Sequence, residues 1–220
     1  MARSQHPLSS VTAVDGASLF DASSIMGERF NRHRVTIDYP SLRRVLDERR
    51  QNAGWSPADI CSVIVSMDPA SEGQQRFREM LERAEFEPDI CHYRDAFVSL
   101  PPGRTPSDEH TKSIVSFSAR LAYIAGLMAR HDEPQLLLVT HSFELCEPLL
   151  DLAERRKKGR FGLAYFGSLI DFRWKIAGLQ EGKLPLEFFD LEEHGQELLG
   201  FDLGARSRLG TEPTSGLRRY

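Results

Sequence analysis

The sequence predicts one α/β domain with a mostly parallel sheet and helices on both faces, a three-layer sandwich. Short apolar runs such as ICSVIVSM (60–67) and QLLLVT (135–140) alternate with segments whose apolar residues recur at helical spacing. Parallel strands that are covered on both faces are apolar throughout, because neither face meets water. The 220 residues, 40% of them hydrophobic, suffice for one such domain.

Each element is assigned from its own pattern. Residues 1–15 are predicted to be a flexible lead, and the domain is predicted to span residues 16–195. The predicted strands are ASLFDASSI (17–25), 60–67, 86–99, 135–140, 161–167 and an edge segment at 184–193. The predicted helices are 38–50, 68–84, 112–130, 146–158 and 168–178. Residues 200–220 lack periodicity, so we expect a disordered tail there.

The composition excludes several classes of protein. A formal net charge of −4 gives no global basic field for nucleic acid, so any anion-binding surface must be local. Cys61, Cys91 and Cys146 have no C-x-x-C spacing, which fits a reducing, cytoplasmic setting. The sequence contains no run of about 18 apolar residues, so it predicts no membrane span. Phosphate-binding glycine loops and a G-x-S-x-G nucleophile motif do not occur in the sequence.

Polar side chains follow the predicted strands, at the ends where ligands of parallel α/β sheets bind. The candidate site residues are Asp21, Ser23, Ser24, Thr140, His141, Ser142 and Glu144, with Asp108 and Lys112 near the start of the helix before the fourth predicted strand. A hydrolase built on the adjacent His141 and Ser142 is disfavoured, because neighbouring residues rarely face each other.

Segments spread over residues 17–178 resemble, in order, the NYN family, a branch of the PIN-like nucleases. They are LFDASSI, IDYPSLRRVL, DPASEGQQRFREML, KSIVSFSARLAYIAGL and VTHSFELCEPLL. The resemblance implies a PIN-like, Rossmannoid three-layer fold. It also implies metal-dependent endoribonuclease chemistry, in which converging carboxylates hold Mg²⁺ or Mn²⁺ and the metal activates water.

Residue by residue, the resemblance implies a metal site with fewer carboxylates than the family pattern has. Asp21, Glu144 and Asp108 are the implied metal ligands, and His141 is a candidate general base or further ligand because its ordinary pKa lies near neutrality. The implied substrate-binding residues are Ser23, Ser24, Lys112, Thr140 and Ser142. Two acidic positions of the family pattern are occupied by Val115 and Ser142, so the carboxylate site is degenerate.

Each candidate also has a structural interpretation. Asp21 could cap a turn, while Glu144 and Asp108 suit the first turns of helices. His141 could be a structural histidine, and Lys112 could pair with Asp108 four residues earlier. Two functions therefore remain open. One is an active NYN-type ribonuclease with Mg²⁺ or Mn²⁺, and the other is a catalytically silent module, without a cofactor, that binds a protein or nucleic-acid partner. The apolar FFDL segment (188–191) leaves a homo-oligomer open as well.

Overall fold

A computed structural model of the chain describes residues 8–32, 35–66, 72–91, 109–169 and 185–201. In these ranges the strands are β1 (Ser10–Asp15), β2 (Ile60–Ser66), β3 (Glu87–Cys91), β4 (Gln135–Val139), β5 (Arg160–Tyr165) and β6 (Glu187–Asp190). The α-helices are α1 (Gly16–Arg29), α2 (Tyr39–Asn52), α3 (Glu72–Arg83), α4 (Glu109–Met128), α5 (Phe143–Arg155) and α6 (Gly195–Leu199).

The strands form one parallel sheet in the order β3-β2-β1-β4-β5-β6. The first strand of the chain is therefore central, with β2 on one side and β4 on the other. Val14 lies between Val63 of β2 and Val139 of β4, which fixes the register of the three strands. This arrangement confirms the predicted parallel α/β class.

Apolar side chains from alternate strand positions fill two separate layers, one on each face of the sheet. One layer joins β1, β2 and β4 to helices α1, α2, α3 and α6 through residues that include Val14, Val63, Val139, Leu19, Leu46, Leu81 and Leu198. The other joins the sheet to α4 and α5 through residues that include Val11, Leu136, Leu138, Phe117, Ile124 and Leu149. Helices thus cover both faces, and the three-layer prediction is confirmed.

The prediction for the first strand was wrong. Residues 17–25 belong to α1, whose buried positions Leu19, Ala22, Ser23 and Met26 follow the helical spacing i, i+3, i+4, i+7. The strand precedes them, because SVTAVD is buried along its whole length and pairs with both neighbours. The predicted flexible lead at residues 1–15 therefore does not extend through residues 10–15.

The other elements agree with their predictions to within a few residues where the structure describes them. Asp38 caps α2 by accepting a hydrogen bond from the Ser41 amide at 2.8 Å, as its position before Pro40 predicts. Parts of several predictions, at residues 1–7, 67–71, 92–99, 170–178, 184 and 202–220, lie outside the described residues, as does Asp108. None of the described helices combines the length and apolar character needed to cross a bilayer.

Gly16 allows α1 to begin directly against β2. A Cβ atom at this position would collide with the side chain of Val65 and would lie 3.1 Å from the carbonyl oxygen of Ile64. We expect Gly16→Ala to lower the free energy of unfolding by about 1–3 kcal/mol through overpacking. Urea denaturation measures this, with Gly126→Ala on α4 as the matched control. Because a Cβ at position 126 meets nothing within 4 Å, the control should stabilise the helix slightly. Equal effects at both positions would contradict the close approach.

Candidate functional site

The sheet has a topological switch point between β1 and β4, where the strand order reverses. From β1 the chain builds β2 and β3 on one side, and it then builds β4, β5 and β6 on the other. In sheets of this order, a crevice opens outside the carboxyl ends of the two strands at the reversal, and ligands bind there. Asp15 ends β1 and Thr140 follows β4, so both residues lie at the carboxyl ends of these two strands.

Asp15 and Thr140 form a buried polar pair. The side chains are 4% and 0% exposed, and the Thr140 hydroxyl donates to Asp15 Oδ2 at 2.9 Å. The other carboxylate oxygen, Oδ1, accepts from the Ser18 amide at 3.1 Å, which makes Asp15 the N-cap of α1. Burial and, second, the negative charge of Asp15 raise the pKa of Tyr39. Both oxygens of Asp15 are hydrogen-bonded, so its carboxyl group is fixed in place at the strand end.

His141, which follows Thr140, joins three elements. Its Nε2 atom accepts from the Phe166 amide at 2.9 Å, and its ring stacks on the Phe166 ring with centroids 5.8 Å apart. Its Nδ1 atom lies 3.0 Å from Ser18 Oγ, and its own amide donates to the same oxygen at 2.8 Å. Burial lowers the pKa of His141 to about 4, so the ring is neutral at pH 7.

These contacts determine where the imidazole carries its proton. Since Nε2 accepts a hydrogen bond from a backbone N–H, the proton of the neutral ring is on Nδ1, which donates to the Ser18 hydroxyl. A serine nucleophile needs the opposite arrangement, in which the hydroxyl donates to the ring. Both ring nitrogens of His141 take part in hydrogen bonds within the fold. The geometry therefore favours a structural role over the predicted roles of general base or metal ligand.

The structure brings only some of the predicted site residues to this edge. Thr140 and Ser142 are there, and the Ser142 amide donates to Thr140 Oγ1 at 3.1 Å. Asp21 instead lies on the exposed face of α1. Ser23 and Ser24 donate to the carbonyl oxygen of Phe20, four or fewer residues back, as serines inside helices do.

Two further predicted residues are placed by their backbone alone. Glu144 is the second residue of α5, which begins at the same edge, and Lys112 is the fourth residue of α4. Their side chains lie outside what the structure describes, and so does Asp108. Of the predicted metal ligands Asp21, Glu144 and Asp108, only the Asp21 side chain is described, so their convergence stays a prediction.

Sequence reasoning missed Asp15 and Ser18. The signal was present in SVTAVDGAS, where Val11, Thr12 and Val14 favour a strand and an Asp-Gly pair ends it. A cap three residues before Ser18 also marks the start of a helix. The acidic residue at the end of the first strand is thus Asp15. Asp21 follows it six residues later, within α1.

The carboxylate of Asp15 is held by the Thr140 hydroxyl and the Ser18 amide. Each of its oxygens accepts one of these two hydrogen bonds. Mg²⁺ in proteins is commonly held by one or two carboxylates together with water and substrate phosphates. Within the described ranges no group of three or more His, Cys, Asp or Glu residues is placed to hold a metal ion.

The order of the strands and the position of Asp15 and Thr140 define a doubly wound α/β protein with a buried polar pair at the reversal of strand order. Comparison of the chain with protein-family models, with curated proteins and with solved structures finds no match.

Proposed function

We propose that this chain is a PIN-like module of the NYN type that binds RNA at the crevice between β1 and β4. One divalent cation, Mg²⁺ or Mn²⁺, joins the Asp15 carboxylate to an RNA phosphate there. The observation that carries the proposal is the buried Asp15–Thr140 pair at the reversal of strand order. Binding, rather than cleavage, is proposed as the primary function, because two acidic positions of the family pattern are occupied by Val115 and Ser142.

Electrostatics at the crevice supports an anionic ligand with a bridging cation. Helices α1 and α5 both begin at this edge, and helix N-termini carry partial positive charge. A carboxylate and a phosphate repel each other, so a phosphate next to Asp15 needs a cation between its oxygen and the carboxylate oxygen. Thr140 and the Ser18 amide hold the carboxylate in one orientation, which lowers the entropy lost when a cation binds.

The test measures binding of labelled single-stranded RNA by fluorescence anisotropy, with Mg²⁺ and with EDTA. We expect Mg²⁺ to increase the affinity of the wild-type chain and Asp15→Asn to remove about 1–3 kcal/mol of that increase, since hydrogen bonds and contacts to charged groups have this size. Asparagine caps helices about as well as aspartate, so the variant should remain folded.

Asp21→Asn is the matched control, because Asp21 is an exposed carboxylate on the same helix. It should leave the Mg²⁺ effect unchanged, and both variants should keep the melting temperature within a few degrees. An Asp15→Asn variant that binds RNA with the full Mg²⁺ response would refute the assignment of Asp15. If instead neither the wild type nor a variant binds RNA, the proposed function itself is wrong.

A second candidate is metal-dependent cleavage of RNA. It is favoured by the position of Glu144 in the first turn of α5, a helix that begins two residues after His141. A carboxylate there would add a second hard ligand beside Asp15. Cleavage of labelled RNA in Mn²⁺ that is lost in both Asp15→Asn and Glu144→Gln supports this candidate, and binding without cleavage supports the first.

A further inference from the structure

A groove of about 900 Å³ lies between α4 and the strands β2 and β3, at the end of the sheet where the strands begin. Its wall on the α4 side includes Tyr123, Ile124 and Leu127, and its floor includes Val11 and Ile60. Tyr123 is 54% exposed and Leu127 is 37% exposed. The two residues are four apart on α4 and therefore lie side by side on one face of the helix. The groove thus presents apolar surface of the kind to which another chain segment binds.

The charges of this groove are balanced, so they do not select a strongly acidic or basic occupant. Its lining contains three arginines and three acidic residues. Arg78 pairs with Glu82 one turn later on α3, with 2.9 Å between the nitrogen and the oxygen, and Arg120 of α4 pairs with Asp89 of β3. The Arg120 guanidinium also lies 4.8 Å from the centroid of the Tyr123 ring. Contact with the apolar face of α4 therefore selects the occupant.

The chain enters this groove just before β1. Alternation along β1 places Val11 in the apolar layer under α4, whereas the Ser10 and Thr12 hydroxyls contact helix α2 on the other face of the sheet. By the same alternation Leu8 would face α2. Leu8 instead packs in the layer under α4 and lines the groove. The backbone therefore turns towards the groove between Leu8 and Ser10, and the point at which residues 1–7 join the domain lies at the groove.

The length of the preceding segment suits the groove. β1 and β3 are two strand spacings apart, about 10 Å. Seven extended residues span about 23 Å, so residues 1–7 can reach from Leu8 across β2 to β3. The segment reads MARSQHP and has no acidic residue. Pro7 favours an extended conformation at the residue before it, which is the form that lies flat in a groove.

We propose that residues 1–7 bind in cis in the groove between α4 and β3, with side chains of the segment packed on Tyr123 and Leu127. This inference concerns the end of the sheet opposite to the carboxyl ends of β1 and β4. It goes beyond the proposed function and does not depend on it. It assigns the groove to a segment of the same chain rather than to a second copy or to an external partner.

Photo-crosslinking of the full chain tests the proposal. The photoreactive residue p-benzoylphenylalanine replaces Tyr123, an exposed aromatic residue. We expect an adduct within the monomer that maps by mass spectrometry to residues 1–7. The same residue in place of Phe20 is the matched control, because Phe20 is exposed on α1, which covers the other face of the sheet, and it should give no adduct with this segment. An adduct in a dimer band, an adduct that maps elsewhere or no adduct from position 123 would overturn the proposal.

Replacement of side chains in the segment separates binding from mere attachment nearby. Replacing residues 2–6 (ARSQH) by glycine and serine keeps the length of the segment and removes its larger side chains. The adduct yield from position 123 should then fall about fivefold, the change expected when the partial burial of one side chain is lost. The same replacement at residues 205–209 (ARSRL), a stretch of equal length and similar composition, should leave the yield unchanged. Equal yields from the two variants would show that the segment is near the groove without binding to it, and the proposal would be wrong.

Discussion

Replacing Arg50 by methionine is expected to lower the free energy of unfolding by about 3 kcal/mol, one of the two largest effects in this protein. Arg50 is 1% exposed, and its guanidinium donates to the Ser56 carbonyl oxygen at 2.9 Å and to the Thr12 hydroxyl at 3.2 Å. It also donates to the Ser10 hydroxyl and the Val11 carbonyl oxygen. Burial lowers the pKa of this guanidinium.

The balance of two opposing terms decides the sign of this effect. Removing the buried cation recovers its desolvation cost, which favours methionine. Methionine, however, leaves several buried oxygens without a donor, at about 1–3 kcal/mol for each group that water cannot reach. It also loses the contact of the guanidinium with the Trp55 ring, whose centroid is 5.0 Å away. Because the lost donors outnumber the single recovered charge, we expect net destabilisation.

Urea denaturation provides the measurement, and Arg44→Met provides the matched control. Arg44 lies on the same helix but is half exposed, and it pairs with Glu48 and Glu197 at the surface. Exposed ion pairs contribute little, so the control should change the free energy of unfolding much less than Arg50→Met does. A loss at Arg50 no larger than the loss at Arg44 would show that the buried donors are not needed.

His141 should make the stability of the protein depend on pH between about 6.5 and 4. The pKa of the imidazole is about 4 in the folded chain and near 6.5 in an unfolded one. Between these values the unfolded chain binds the extra proton, so the contribution of His141 is complete above pH 6.5 and is lost as the pH falls towards 4. We expect a loss of about 2 kcal/mol, somewhat below the full shift because the residue is partly exposed.

Comparison with His141→Gln isolates this contribution from other groups that titrate in the same range. At pH 7 the variant should be less stable than the wild type, because the hydrogen bonds to Phe166 and Ser18 are weakened or lost. The difference between the two proteins should shrink as the pH is lowered to 4. A difference that stays constant over this range would mean that the folded imidazole titrates normally.

Several elements could be predicted because their patterns had one interpretation. QLLLV is apolar at nearly every position, as a strand buried on both faces must be, and its end correctly placed Thr140 and Ser142 at the edge of the sheet. For α2, Asp38 followed by Pro40 marked the start of the helix, and Leu42, Val45 and Leu46 marked its buried face. In both cases local preference and tertiary packing point to the same structure.

The first strand could not be located in the same way because two neighbouring segments compete for it. ASLFDASSI contains more large apolar side chains than SVTAVD, yet Phe20 and Ile25 are exposed. The apolar residues of α1 satisfy strand and helix spacing equally over so short a run. A first strand that ends at Asp21 places Asp15 in the predicted lead. The partners of His141 also depend on the approach of β5 to β4, which no local pattern in the sequence encodes.

The central place of β1 has a practical consequence for anyone shortening the chain. A truncation at residue 15, chosen to remove an apparent leader, would delete β1, the central strand that pairs with both β2 and β4. The described sheet would then be split into β2 with β3 and β4 with β5 and β6. Each part would have a newly exposed, unpaired strand edge. Such edges invite pairing between molecules, so the shortened protein should precipitate rather than crystallise.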